Sequence, residues 1–164
     1  MRWQLPKSEE MSFKGWPTAT PNQWKKFVGA HPDQEKSPPE KIKLSWLNWR
    51  LLTAIQREVN LHPYYPDVKG SDVWRIMEIP GDGGDCEDFV LTKRWLLDGA
   101  GVPPGALRPL VCENIQGIGH MVLCVCTDRG DFILDNIIRV ISPWTRIPYK
   151  WTMRYEGEKW FPYG

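Results

Sequence analysis

Long apolar runs are missing from this sequence. No segment of the 164 residues approaches the ~20 consecutive apolar residues of a membrane span. The first ten residues, Met-Arg-Trp-Gln-Leu-Pro-Lys-Ser-Glu-Glu, lack the apolar stretch of a secretory signal. Neither charge is in excess: 21 Lys and Arg face 20 Asp and Glu, a formal net charge of +1, so no strong field recruits nucleic acid or an anionic membrane. Cysteine is scarce too. Four cysteines make no disulfide scaffold in a chain of this length. Cys86, Cys112, Cys124 and Cys126 show no C-x-x-C spacing, and with only His31, His62 and His120 beside them no zinc set is evident. The expectation is a soluble single domain, long enough to bury a core without staples.

Tryptophan is plentiful, at 10 residues, and forms no repeat. Residues 1–36 are rich in Pro, Lys and polar residues, with isolated aromatics at Trp3, Phe13, Trp16, Trp24 and Phe27. They read as an aromatic-rich N-terminal arm with a short helix near 21–28, wrapped on a domain formed by 37–164 and anchored by those rings. Ser37-Pro38-Pro39-Glu40 matches a capping box with proline at the first helical position. Leu44, Leu47, Leu51, Ile55 and Val59 follow at three- and four-residue steps, which predicts a helix over 38–60. A long connection, 61–84, carries Gly70, Gly81, Gly83 and Gly84; such length inside a domain is usually functional. A second helix is expected over 86–97, closed by Gly99 and Gly101. The period then changes: 107–113, 120–127, 131–135 and 137–141 read as short strands, with Asp128-Arg129-Gly130 as a hairpin turn. Helices first and strands second is an α+β pattern, helices packed on a C-terminal antiparallel sheet.

Gly83-Gly84-Asp85-Cys86-Glu87-Asp88 is the most informative stretch. It sets a cysteine at the first turn of a helix, where the helix end stabilises a thiolate and free N–H groups can hold an oxyanion. The glycines would let a partner approach the backbone. Three neighbouring carboxylates oppose that thiolate, so a cation, metal or histidinium, must offset them. His120 begins an apolar strand and could reach the helix tip. Asp135 interrupts the next apolar strand, and a carboxylate there needs a partner that an imidazole would supply. A two-residue hairpin loop puts Asp135 opposite Val122, on the face of His120; a three-residue loop puts it opposite Leu123, on the wrong face without a bulge. Spacing alone does not choose. Cys112, Cys124 and Cys126 read as small core residues.

Val59-Asn60, Tyr65, Asp67, Gly70-Ser71-Asp72-Val73-Trp74, Gly84-Asp85-Cys86-Glu87-Asp88-Phe89, His120-Met121-Val122-Leu123 and Leu134-Asp135-Asn136, in that order, resemble the bacterial transglutaminase-like cysteine peptidases, the LapG-type family. The likeness runs from about Leu47 to Trp160. It implies a papain-like, transglutaminase-like fold and a cysteine peptidase with Cys86 as nucleophile, His120 as general base and acid and Asp135 as its orienting carboxylate. It also implies a calcium site from Asp85 and Glu87, with Asp88 and Asp72 as further candidate ligands. The Cys86 N–H, and the Trp74 indole as a second donor, are the expected oxyanion hole. Amidase or transglutaminase-type acyl transfer at the same cysteine is the alternative chemistry. Short stand-alone relatives occur in phage genomes. That adds phage tail or other virion proteins to the expected partners beside a protein or peptide substrate, and a structural virion role with a vestigial triad as a further alternative. The expected location is then cytoplasmic or virion-associated.

Overall fold

The change of period near residue 107 is the seam between two layers. The computed structural model describes residues 3–13, 15–35, 37–66, 73–78 and 81–164. Among these, helices α1 (Asn22–Ala30), α2 (Trp46–Asn60) and α3 (Cys86–Gly99) precede six strands: β1 (Leu107–Glu113), β2 (Gly119–Thr127), β3 (Gly130–Leu134), β4 (Ser142–Pro143), β5 (Lys150–Glu156) and β6 (Lys159–Pro162). The strands form one antiparallel sheet in the order β4-β3-β2-β1-β5-β6. This is the expected α+β architecture.

Both faces of the central strands are buried, which is why β2 reads as a continuous apolar run. Met121, Leu123 and Val125 join the main core with Val90, Leu91 and Leu97 of α3. Val122, Cys124 and Cys126 alternate onto the other face, with Ile133, Tyr149 and Met11. The β2–β3 hairpin closes at Thr127 opposite Gly130, so its loop is the two residues Asp128-Arg129, and Leu123 faces Leu134. That register brings Asp135 level with Val122. Gly130 has φ +96°, and a Cβ there would lie 2.4 Å from the Ser8 backbone. Glycine is required twice over.

The helix expected over 38–60 starts eight residues late. Ser45 caps α2, its hydroxyl accepting the Asn48 N–H at 3.1 Å. The preceding segment is extended because the sheet takes its backbone groups: Ile42 N–H donates to Cys126 O at 3.0 Å, Ile42 O accepts from Asp128 N–H at 2.9 Å, and Leu44 N–H donates to Asp128 Oδ1 at 2.8 Å. Leu44 is buried by this strand-like passage and matches the helical period by coincidence. Residues 137–141 form no strand, and the last pairing beside β3 is the two-residue β4. Strands β5 and β6 were not anticipated, although Trp151, Met153 and Tyr155 alternate with period two.

The described residues of the N-terminal stretch are tied in by Met11, Trp24 and Phe27, all buried. Trp24 packs on Tyr155 and Trp160 with ring centroids at 4.5 and 5.7 Å. Ser8 N–H bonds Arg129 O at 2.7 Å and Asp131 N–H bonds Glu9 O at 2.9 Å, so the arm runs along the β2–β3 hairpin. Trp3 and Trp16 are 84% and 89% exposed and are not among the buried anchors.

Two cations of α3 are buried. Arg94 is satisfied: Nε donates to Leu107 O at 2.9 Å and Nη1 to Gln34 Oε1 at 2.8 Å, joining helix, arm and sheet. Lys93 lies over the Phe89 ring with Nζ 6.0 Å from its centroid, and burial drives its pKa down to about 7. Between that value and the ordinary Lys value the unfolded chain binds a proton that the folded chain does not. Stability therefore rises with pH across this window, and the full penalty is present below it. Lys93→Met is expected to raise stability by a few kcal/mol at and below neutral pH, with the gain shrinking as pH climbs toward 10. Urea unfolding of both chains at pH 6, 8 and 9.5 checks this, and parallel profiles would refute it.

Candidate active site

The loop that leads to α3 is built from small residues because its neighbours occupy the space that side chains would fill. A Cβ on Gly83 would sit 2.4 Å from the Tyr65 ring, and one on Gly84 2.4 Å from Asp88 Oδ2. The glycines thus serve packing inside the chain. Gly84 N–H donates to Pro63 O at 3.2 Å and Gly84 O accepts from Tyr65 N–H at 2.8 Å. Asp85 and Asp88 then make a reciprocal capping box, Asp88 Oδ2 accepting the Asp85 N–H at 3.2 Å. The other oxygen of Asp88 accepts Arg75 N–H at 2.9 Å. Both oxygens of Asp88 are therefore committed to backbone amides, and its burial raises its pKa.

Cys86 opens α3 and is 8% exposed. The backbone amide of Met121, the residue after His120, acts on this thiol and favours its charged form, so the helix tip lies beside β2 there. The thiol donates to Glu87 Oε2 at 3.1 Å. Burial and then the Glu87 charge push its pKa far up, so the structure holds a thiol in this state. Cys112, Cys124 and Cys126 are more deeply buried, as expected of core residues.

His120 Nε2 lies 2.7 Å from Asp135 Oδ1. The second oxygen of Asp135 accepts the Tyr149 hydroxyl at 2.7 Å, and Oδ1 also accepts Ile137 N–H at 3.0 Å. Burial works against the Asp135 charge, yet the His120 hydrogen bond and these donors hold its carboxyl below the usual value. An ionised Asp135 makes Nε2–H the donor and leaves Nδ1 as the other ring nitrogen. Tyr149 also stands edge-on to the imidazole, centroids 5.7 Å apart at 85°. From α2, Gln56 Nε2 and Asn60 Nδ2 donate to the Asp135 carbonyl at 2.8 and 3.0 Å. Sequence reasoning missed Tyr149 and Gln56. The i, i+4 polar pair Gln56/Asn60 on an apolar helix face was the signal available for the latter.

Trp74 is buried, and its indole Nε1 has no hydrogen-bond partner among the described residues. The next residue's N–H bonds Asp88, so this donor is tied to the first turn of α3. Asp85 is buried, Glu87 half-buried, and Asp72 lies outside the described residues. The one described place where three potential metal ligands converge is elsewhere, at Cys124, Cys126 and Asp131. Arg154 already fills it, Nη1 lying 3.0 Å from Asp131 Oδ2 and 3.3 Å from Cys124 Sγ.

A cysteine thus opens α3 at its tip, and the sheet beside it carries a histidine–carboxylate pair. Residues 14–161 match the family model of the bacterial transglutaminase-like cysteine proteinases, and the chain belongs to this family; it is a cysteine peptidase. Among solved structures it is similar to Legionella pneumophila LapG in calcium-bound form, at 23% identity and a TM-score of 0.64 over 85% of this chain and 77% of that one. A second LapG structure matches at 24% identity and 0.63, over 88% and 81%. An EGTA-treated LapG matches at 24% and 0.63, over 88% and 79%. These likenesses carry the fold. No curated protein matches the sequence significantly. No helix among the described residues is long and apolar enough to cross a membrane.

Tyr149→Phe strips one donor from a buried carboxylate and is expected to cost ~1–3 kcal/mol. Urea unfolding measures it, and an unchanged midpoint would mean that Asp135 Oδ2 does not depend on the hydroxyl.

Proposed function

We propose that the peptidase works through Cys86, His120 and Asp135. The observation that carries this is the buried His120–Asp135 pair, one residue from the Met121 amide that acts on the Cys86 thiol. His120 takes the thiol proton as the Cys86 sulfur attacks a peptide carbonyl carbon. The resulting oxyanion is held by the Cys86 N–H, which as a first-turn amide has no intrahelical acceptor, and by the unpartnered Trp74 indole N–H. Collapse expels the amine, which leaves with the proton from His120, and a thioester remains on Cys86. His120 then deprotonates water, whose attack releases the acid product and returns the thiol. Asp135 keeps the imidazole in one tautomer and stabilises the imidazolium formed twice in the cycle.

Glu87 and Asp85, the latter also accepting the Asp88 N–H in the capping box, are the residues that would hold calcium at this site. Both are hard oxygen donors beside the thiol, and the Glu87 charge is among the causes that hold the thiol protonated. Asp88, with both oxygens on backbone amides, is left out of the proposed ligand set. A bound cation would screen these carboxylates and favour the thiolate. Proteins or peptides are the substrates, and water is the proposed acceptor.

Cys86→Ala and His120→Ala should abolish peptide cleavage, and Asp135→Asn should lower kcat roughly 10²–10⁴-fold with the fold intact. Chelation should slow alkylation of Cys86, and calcium should restore it better than magnesium, whose rigid octahedral shell suits two carboxylates on one turn poorly. Product mass spectrometry reads the acceptor. Hydrolysed fragments support the proposal, amine-linked products replace it with acyl transfer, and full activity in Cys86→Ala refutes it.

A further inference from the structure

The segment 81–85 has no regular secondary structure and holds three glycines, Gly81 at φ +86°. Left to itself, such a loop would deliver Cys86 to many places, because glycine carries the largest backbone entropy. Its main chain is nevertheless gripped at successive residues. His62 Nδ1 contacts Asp82 O at 2.6 Å, the Arg75 guanidinium donates to Gly83 O, and Gly84 is paired on both sides with Pro63 and Tyr65. The same guanidinium holds the Asp82 carboxylate with two bonds, Nη1 to Oδ2 at 2.7 Å and Nη2 to Oδ1 at 3.0 Å. The Arg75 N–H sits on Asp88 at 2.9 Å. One residue thus joins the loop before Cys86, the first turn after it, and Trp74 next in the chain.

Charge points the same way. Asp82, Asp85 and Asp88 all raise the Arg75 pKa, with the Asp82 hydrogen bond first among the causes, so the guanidinium is the cation on which these carboxylates act. The fork is half-exposed, and as a lone surface pair it would contribute little stability. A bidentate fork that also takes a carbonyl fixes direction as well as charge, which a lysine could not do.

We infer that Arg75 is a positioning residue for the nucleophile: its fork on Asp82 and Gly83, with its N–H on Asp88, holds in shape the loop that presents Cys86. The inference rests on Cys86 being the nucleophile. It separates two jobs at the helix tip, since Arg75 sets the geometry while a cation at Asp85 and Glu87 would act on the thiol's charge.

The test is Arg75→Gln, which keeps the N–H and removes the fork, with Asp82→Asn, the double variant and Arg75→Lys. Each is followed by peptide hydrolysis and by hydrogen exchange read by mass spectrometry. The kcat of Arg75→Gln should fall roughly ten- to a hundredfold, as for a nucleophile displaced by a fraction of an ångström. KM should stay within about twofold, because ground-state binding is untouched. Exchange should accelerate at 81–86 and nowhere else. The double variant should be no worse than the worse single one, and Arg75→Lys should recover only part of the loss. Unchanged kcat and exchange in Arg75→Gln, or additive losses in the double variant, would overturn the inference. So would acceleration of 81–86 exchange in the wild-type chain on EGTA as large as that caused by Arg75→Gln. If Arg75→Gln fails to fold, Asp82→Asn, which keeps the cation, carries the same predictions. Failure of the nucleophile assignment shows separately, as cleavage by Cys86→Ala, and the exchange readout needs no activity.

Discussion

A buried thiol and three carboxylates share the first turn of one helix, and the rest of the site is arranged around that constraint. Asp85, Glu87 and Asp88 suit a helix N-terminus, where partial positive charge accumulates. They are the wrong company for a thiolate. Two of them are turned to structural use, since the Asp85–Asp88 capping box spends acceptors on amides that the helix leaves open. Glu87 is the residue whose carboxylate meets the sulfur directly. The charge problem therefore concentrates at one side chain, next to the atom on which chemistry would occur.

The histidine–carboxylate half is organised in the opposite way, by convergence on a single carboxylate. Asp135 receives His120, Tyr149 and the Ile137 N–H on its oxygens, and Gln56 and Asn60 on its carbonyl. Sheet and helix both contribute, so the position of Asp135 follows from the packing of α2 on the sheet. A carboxylate buried this deeply keeps its charge because three donors converge on its two oxygens. Asp135 also acts on Lys93, pulling its pKa upward against burial.

Much of this was legible in the sequence, for reasons specific to each element. The helix over 86–97 was readable because acidic residues, a cysteine and closing glycines bracket an apolar stretch, and α3 runs Cys86–Gly99. The apolar β-branched strands announced themselves, and 107–113 is matched to the residue. The hairpin register was not legible, because 128–130 fits loops of two or three residues equally well. What chose between them is Gly130 packed against the Ser8 backbone, a contact 122 positions away in sequence. The false start of α2 has the same origin: Ser-Pro-Pro-Glu is a good local cap, and tertiary pairing of Ile42 with the hairpin overrode it. Arg75 carried no signal at all, since its value depends on Asp82 and Gly83 folding back upon it.

The two halves of the site thus answer to different physics. The histidine–carboxylate half is held by a sheet whose central strands are buried on both faces, where a misplaced side chain has nowhere to go. The cysteine half hangs on a glycine-bearing loop held by a few polar contacts at a partly exposed surface. Close packing of Gly83 and Gly84 against Tyr65 and Asp88 does not by itself fix the loop's direction, because glycines offer no side chain to interlock. Directional bonds to its main chain can, and a guanidinium fork supplies several from one residue. In the proposed site the burden of positioning the thiol against the imidazole would therefore fall on the loop, where the loss of one bond would move the sulfur while the fold stays as it is.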